Sequence, residues 1–346
     1  MGPDPLTRPG MAKSILFCLA MACASSLISP IWAANRSWTG NASGFWSNPN
    51  NWNPSGPPEE GEALIFGAFF NRSMVNDLVG LRLDSLVFDH FDYVLSGNAL
   101  TLGVHPNDAV IEMPMGGGAG SATINCALIL GTNRCIFDCT PFREDGSATL
   151  RINADINLNG FDLTFISFPG GVGGDAKIEI AGSISGNGNV TVFPADPDRG
   201  SIEFIGSAEN TFSGTLRVSS GGSEPDSGVY FNKQGGSVAN NRLELARGVT
   251  VDVQRPHQIG DGATVCIMDG SRLLFHGNTE TIGNLCFTNS AADTEPSLVD
   301  TDGSTLSVNG EIRAVNNSVV QSTIRGKLGL PPGSHTIDVS GTTLTA

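Results

Sequence analysis

The sequence is poor in charge and nearly without lysine. Charged side chains make up 15% of its 346 residues, against roughly 25% in an ordinary globular domain. The 19 bases are outnumbered by 34 acids, for a formal net charge of −15. Nucleic acid and anionic membrane surfaces are held by clustered positive charge, so neither is an expected partner. Helical periodicity is almost absent, and beyond the N-terminus no apolar run approaches the roughly 20 residues of a membrane span. A phosphate-cradling Gly-Lys-Ser/Thr loop, a nucleophile elbow and a dinucleotide fingerprint are also missing. What is present excludes a disordered acidic tail: 40% of the chain is hydrophobic and 18 residues are Phe. Forty-four glycines, with abundant Asn, Ser and Thr, take the place of the missing charge. The composition is that of an all-β, turn-rich, extracytoplasmic protein.

The N-terminus carries the one long apolar run. Met11-Ala12-Lys13 supplies a positive charge, Ser14 to Ala24 an apolar stretch, and Ala33 and Ala34 small residues after it. That order is the pattern of a secretory signal over residues 1–33, with Met11 better placed than Met1 to begin it, because Met1 to Gly10 is Pro-rich and unlike a signal. The run is short for a membrane anchor, and a lipoprotein reading at Cys23 lacks Leu three residues earlier. Cleavage would remove Arg8, Lys13 and Asp4, leaving 17 bases, 33 acids and a net charge of −16. The mature chain is then expected to be secreted or at the cell surface and not membrane-spanning, with outer-membrane association as a variant.

Five cysteines remain: Cys126, Cys135, Cys139, Cys266 and Cys286. An odd number in an exported protein leaves a thiol unpaired. Cys135 and Cys139 lack the second pair or the His that a zinc site needs. A Cys135–Cys139 or Cys126–Cys135 disulfide is one expectation, and buried thiols in a large β core are the other.

Period-two alternation dominates the rest. Leu150, Ile152, Ala154, Ile156 and Leu158 alternate with polar residues, as do Phe161-Asp162-Leu163-Thr164-Phe165 and Val249-Thr250-Val251-Asp252-Val253. Asn159-Gly160, Asp269-Gly270, Asp302-Gly303 and Asn309-Gly310 punctuate these runs with residues that tolerate positive φ. Ile178-Glu179-Ile180, Val190-Thr191-Val192, Ile202-Glu203-Phe204 and Leu216-Arg217-Val218 step along by 12, 12 and 14 residues. Two strands per coil predict a β-solenoid with coils of about 24–26 residues; the alternative is an array of β-sandwiches.

Residues 34–68 differ in texture. Trp38, Trp46 and Trp52 fall among Asn, Gly and Pro, and a solenoid needs a cover over its first coil. The Trp-rich segment is therefore expected to be an N-terminal cap, with residues 69–346 forming the solenoid. The alternative role for Trp38, Trp46 and Trp52 is carbohydrate contact, since indole faces suit pyranose rings.

The stretch Trp38-Thr39-Gly40 … Gly44-Phe45-Trp46-Ser47-Asn48-Pro49 … Asn51-Trp52, leading to Gly61-Glu62-Ala63-Leu64-Ile65-Phe66, resembles the N-terminal segment of bacterial autotransporter-associated β-strand repeat proteins. Gly206 to Val218 resembles that family's repeat, and Thr281-Ile282-Gly283-Asn284-Leu285 another of its recurring elements. The resemblance implies an exported, passenger-like, right-handed parallel β-helix at the cell surface and no catalytic residue. Two departures stand out: the repeats are degenerate, and no alternating membrane-barrel strands precede Ala346. A truncated passenger is thus a further expectation.

Candidates for chemistry are sparse. His90, His105, His257, His276 and His335 have no metal-like spacing. Asp196/Asp198 and Asp300/Asp302 are the nearest approach to paired hydrolytic carboxylates, and both lie in loop-like sequence. Asp175, Lys177, Asp198 and Arg199 are a remote counterpart of a lyase cluster. Gly170 to Asp175 begins like a calcium-binding nonapeptide, but Lys177 stands where an apolar residue belongs. No cofactor is expected; loosely bound calcium could favour Asp293-Thr294-Glu295 or Asp300 and Asp302. The reading is a structural or adhesive surface protein without catalysis, meeting polysaccharide or protein surfaces. The alternative is a polysaccharide-binding or polysaccharide-cleaving β-helix.

Overall fold

The structure is a computed structural model. It describes residues 35–341 apart from short segments at 68–69, 91, 106–108, 115–119, 133, 141–146, 170–173, 195–198, 221–227, 291–294 and 317–319. The signal-like segment, Asp196, Asp198 and most of the nonapeptide-like stretch therefore lie outside the described residues.

The chain winds into a right-handed parallel β-solenoid of about 10 turns. Three sheets run along it: sheet 1 with 14 strands, sheet 2 with 12 and sheet 3 with five, counted among the described residues. A single coil shows the plan. Ala109–Met113 lies in sheet 1, Gly120–Ile124 in sheet 2 and Leu128–Leu130 in sheet 3. Arg134–Cys139 then returns to sheet 1 and pairs in parallel with Ala109–Met113. A sandwich array would pair sequential strands antiparallel. Here the described strand pairings are parallel except that of Asn35–Trp38 with Trp52–Asn53, which removes that alternative.

Alternation explains the stacking. In a strand, every second side chain points the same way, so in-register coils place like residues directly above one another. Sheet 1 carries the inward row Ile111, Phe137, Phe165, Val192, Val218, Leu245, Ile267 and Phe287. Sheet 2 carries Leu95, Ile124, Ile152, Ile180, Phe204, Phe231 and Val253. These rows are almost fully buried and form one continuous core. Ile178 pairs with Ile202 and Val190 with Leu216, which are the expected coil steps of 24 and 26 residues.

The Leu150–Leu158 alternation is one pattern but two strands. Ala148–Ile152 belongs to sheet 2 and Ile156–Asn157 to sheet 3, with a corner at Asn153 to Asp155 between them. Asn153 bonds Asn125 of the previous coil at 2.9 Å, and Asp155 accepts the Ser183 N–H of the next at 2.8 Å. Stacked polar side chains thus hold the bend while the apolar alternation continues through it. At Asp269-Gly270 both residues take positive φ, 52° and 73°, as a tight turn requires.

Aromatics fill the first described coil. Trp38 packs edge-on against Trp52 with centroids 4.9 Å apart, and Trp46 stacks on Phe66 at 5.9 Å. Asn51 is fully buried; its side chain accepts the Ala42 and Ser43 N–H groups and donates to the Phe45 carbonyl at 2.8 Å. Arg36 makes a buried two-point ion pair with Glu62, at 2.6 and 2.7 Å.

Candidate functional site

Outward side chains of sheet 2 form the most ordered polar surface. The register sets Arg151, Glu179, Glu203, Tyr230, Asp252, Leu274, Asp300 and Arg325 on successive rungs. With strands about 4.8 Å apart, this column is about 34 Å long.

Its charges neutralise one another. Glu179 is held by Arg151, and Lys177 reaches Glu179 at 2.8 Å and Glu203 at 2.9 Å. Asn232 donates to Glu203 at 2.9 Å, and Arg255 donates to Asn232 at 2.7 Å. His276 meets Asp252 at 2.5 Å, and Arg325 grips Asp300. Burial would raise the Glu179 pKa, but hydrogen bonds from Arg151 and Lys177 outweigh it and hold the carboxyl below its ordinary value. Arg325 likewise keeps Asp300 low. Burial, then the negative charges of Asp252 and Glu203, push the Tyr230 hydroxyl upward.

An open cleft of about 450 Å³ lies at the corner that leads from sheet 2 to sheet 1. Glu209, Ser237, Asn240, His257 and Asp261 line it, over a floor that includes Gly235, Gly236, Gly260 and Gly262. The coils approach so closely here that a Cβ on Gly236 would come within 2.6 Å of the Glu209 Cα. Glu209 accepts from Ser237 at 3.0 Å and Asn240 at 2.9 Å, so its carboxylate is already engaged.

Comparison of the chain with protein-family models, curated proteins and solved structures gives no match. Assignment therefore rests on the residues themselves.

Trp38, Trp46 and Trp52 are only 2%, 0% and 3% exposed. Their faces pack on one another and on Phe66, which leaves no platform for a sugar ring and corrects the carbohydrate-contact expectation. A Cys135–Cys139 disulfide is also corrected. Both residues sit on one extended strand, four residues apart, which separates them by about 13 Å, beyond disulfide reach. The Cys135 thiol points to the Leu102 carbonyl and the Cys139 thiol to that of Ala148, at 3.9 and 3.4 Å. Burial pushes the Cys139 and Cys126 thiols up to about 12. The observed disulfide is Cys266–Cys286.

Among the described residues no group of three or more His, Cys, Asp or Glu is arranged to hold a metal ion. Asp300 is occupied by Arg325 and by the Asp302 N–H, and Asp302 itself serves a turn at φ 46°. His105 meets Asp84 at 2.6 Å and His335 meets the Pro331 carbonyl at 2.5 Å. Sequence reasoning did not single out the Arg151–Arg325 column. The signal was available: Glu179 and Glu203 occupy the same place in Ile-Glu-Ile and Ile-Glu-Phe, and Arg151 the same place in Leu-Arg-Ile.

Proposed function

We propose that the protein is an exported, non-catalytic surface scaffold whose sheet 2 face adheres to extended polysaccharide. The observation that carries this reading is the in-register column of paired polar side chains from Arg151 to Arg325. A carboxylate that acts as nucleophile or base needs a free lone pair and a tuned pKa. Glu179, Glu203 and Asp300 are instead tied to cations or amides and Asp252 to an imidazole, while their outer edges still offer hydrogen bonds along a regular repeat. The signal-like residues 14–24 and the scarcity of Lys support export, and the resemblance to autotransporter-associated repeats supports a passenger-like role.

Retention of the purified chain on insoluble cellulose, chitin and a pectin gel tests the proposal. Binding to at least one, weakened several-fold by Lys177→Ala or Arg325→Ala, is the expected result. Retention on none of them, or retention indifferent to both substitutions, would sink it.

One observation favours a second reading. Asp252 and Asp300 project from the same face two rungs apart, about 9–10 Å between Cα atoms, and side chains on such a base can set their carboxyl groups at the roughly 6.5–9.5 Å of inverting glycosidases. Release of new reducing ends, abolished by Asp252→Asn, would establish cleavage instead of adhesion.

A further inference from the structure

The outward column of sheet 1 contains an isolated piece of sulfur chemistry. Arg217, Glu244, Cys266, Cys286, Arg313 and Asp338 stand on successive rungs. Cys266 and Cys286 face each other directly and form a disulfide, with Cα atoms 4.5 Å apart. They alternate with the inward Val265, Ile267, Leu285 and Phe287, so the bond lies on the outside of the sheet.

The two sulfurs have different surroundings. Cys266 is only 4% exposed, whereas Cys286 is half-buried. Arg242 reaches Cys266 Sγ with its guanidinium at 3.3 Å. Its Nε bonds Glu244 at 2.7 Å, and Arg217 approaches the same carboxylate at 3.9 Å. Two guanidinium groups around one carboxylate leave about one net positive charge beside Cys266. On the other side Arg313 pairs with Asp338 at 3.6 Å, leaving the Cys286 side balanced.

In thiol–disulfide exchange the more accessible sulfur is attacked, and the sulfur better stabilised as a thiolate leaves. We propose that the Cys266–Cys286 disulfide is a thiol-exchange site, entered at Cys286 by a small-molecule thiol, with Cys266 departing as a thiolate beside Arg242. In the first step the incoming thiolate forms a bond to Cys286 Sγ, the Cys266–Cys286 bond breaks, and its electron pair goes to Cys266. The number of disulfide bonds is unchanged at that stage: the incoming thiol is oxidised into the mixed disulfide and Cys266 is reduced to the thiolate. A second thiolate can then attack the added sulfur, releasing the small-molecule disulfide and leaving both cysteines reduced. This clasp spans one whole coil, so its opening frees the Cys266–Cys286 segment from covalent closure while the strand pairing stays in place.

Reduced glutathione at neutral pH, followed by rapid acid quench, alkylation and peptide mass mapping, tests the assignment on the full chain. Glutathione on Cys286 and the alkyl label on Cys266 are expected, in a ratio of about ten to one or more. Arg242→Gln should slow the first step about five-fold while Arg242→Lys restores part of the rate, with oxidised forms of equal folded content. Glutathione on Cys266, equal labelling of both sulfurs, or no adduct on the folded chain would overturn the proposal, as would an unchanged rate in Arg242→Gln. The mapping needs no variant, so the assignment is decided even if an Arg242 substitution fails to fold.

Discussion

The coils up to Ser185 and those after it solve the same corner in different ways. In the earlier coils sheet 3 fills the corner between sheets 2 and 1. Leu100, Leu128, Ile156 and Ile184 stack in register there, each fully buried, and backbone pairing satisfies the main chain. Sheet 3 stops at Ile184–Ser185. The corner turn Gln234-Gly235-Gly236-Ser237 has neither alternation nor β-branched residues, and parallel pairing returns at this corner with Glu280–Ile282 beside Leu306, Ser307 and Val308. Buried backbone groups still need partners, and polar side chains supply them.

Asn210 accepts the Ile184 N–H and donates to the Val238 carbonyl, both at 3.0 Å. The Gln258 side chain accepts the Lys233 N–H at 2.7 Å and donates to the Lys233 carbonyl at 3.0 Å, as a neighbouring strand would. Lys233, 1% exposed, spends its ammonium on the carbonyls of Gly182, Ile205 and Ala208. Glu280, 2% exposed, accepts the N–H groups of Gln258, Ile259 and Thr281. The difference teaches that one solenoid can replace a sheet with side-chain hydrogen bonds, at the cost of burying groups that titrate.

The largest way to break this contrast is Lys233→Ala. It strips three buried carbonyls of their donor and should cost about 4 kcal/mol. Because each coil of a repeat protein touches only its neighbours, the loss should appear as faster amide hydrogen exchange around residues 182–260 and leave the earlier coils protected. Leu128→Ala should cost about 3 kcal/mol through a lost side chain and a cavity, with increased exchange confined to the sheet 3 corner.

A pH series sharpens the same comparison. Burial raises the Glu280 carboxyl to about 7 from its ordinary 4.5. Between those values the folded chain holds more protons than the unfolded chain. This contribution to stability is therefore full below about pH 4.5 and is lost as pH rises through 7, amounting to about 3 kcal/mol. Lys233, lowered by burial to about 8 from 10.5, acts in the other window. There the unfolded chain binds more protons, so stability rises between pH 8 and 10.5. Amide exchange at Gln258 and Ile259 should thus be fastest near pH 7–8 after correction for intrinsic rates. Protection at Leu128 and Ile156 should stay flat. Glu280→Gln should remove the lower-pH limb, and a limb that persists would refute the assignment.

The smallest effect belongs to the surface. Lys177→Ala on the sheet 2 column should cost less than about 1 kcal/mol in a melt, because its two ion pairs are partly solvated. A larger loss would mean that the column is structural and not chiefly a contact surface.

Much of the architecture could be read along the chain. Alternating runs such as Ile178-Glu179-Ile180 and Ile202-Glu203-Phe204 announce strands that are buried on one side, and their spacing announces the coil. The Asp-Gly and Asn-Gly positions at 159–160, 269–270 and 302–303 do adopt positive φ at both residues, whereas Asn309-Gly310 does so at neither. The outward phase of Cys266 and Cys286 was legible in Val265-Cys266-Ile267 and Leu285-Cys286-Phe287, but their pairing was not, because it depends on register. Cys135 and Cys139 are close in sequence but lie along one strand. In an extended strand, closeness in sequence keeps such residues apart, while register brings distant ones together.

By itself, then, the sequence determined the periodicity: which side chains face inward, where the chain must turn and how long a coil is, because these depend on local alternation and backbone strain. Only the tertiary structure decided which rung lies above which. That stacking turned Trp38, Trp46 and Trp52 inward, joined Cys266 to Cys286, gathered Arg151 to Arg325 into one column and buried Lys233 and Glu280. The disulfide, the column and the burial of Lys233 and Glu280 depend on contacts between residues about 20 to 50 positions apart, and strand register, unlike alternation, is settled only when the coils pack.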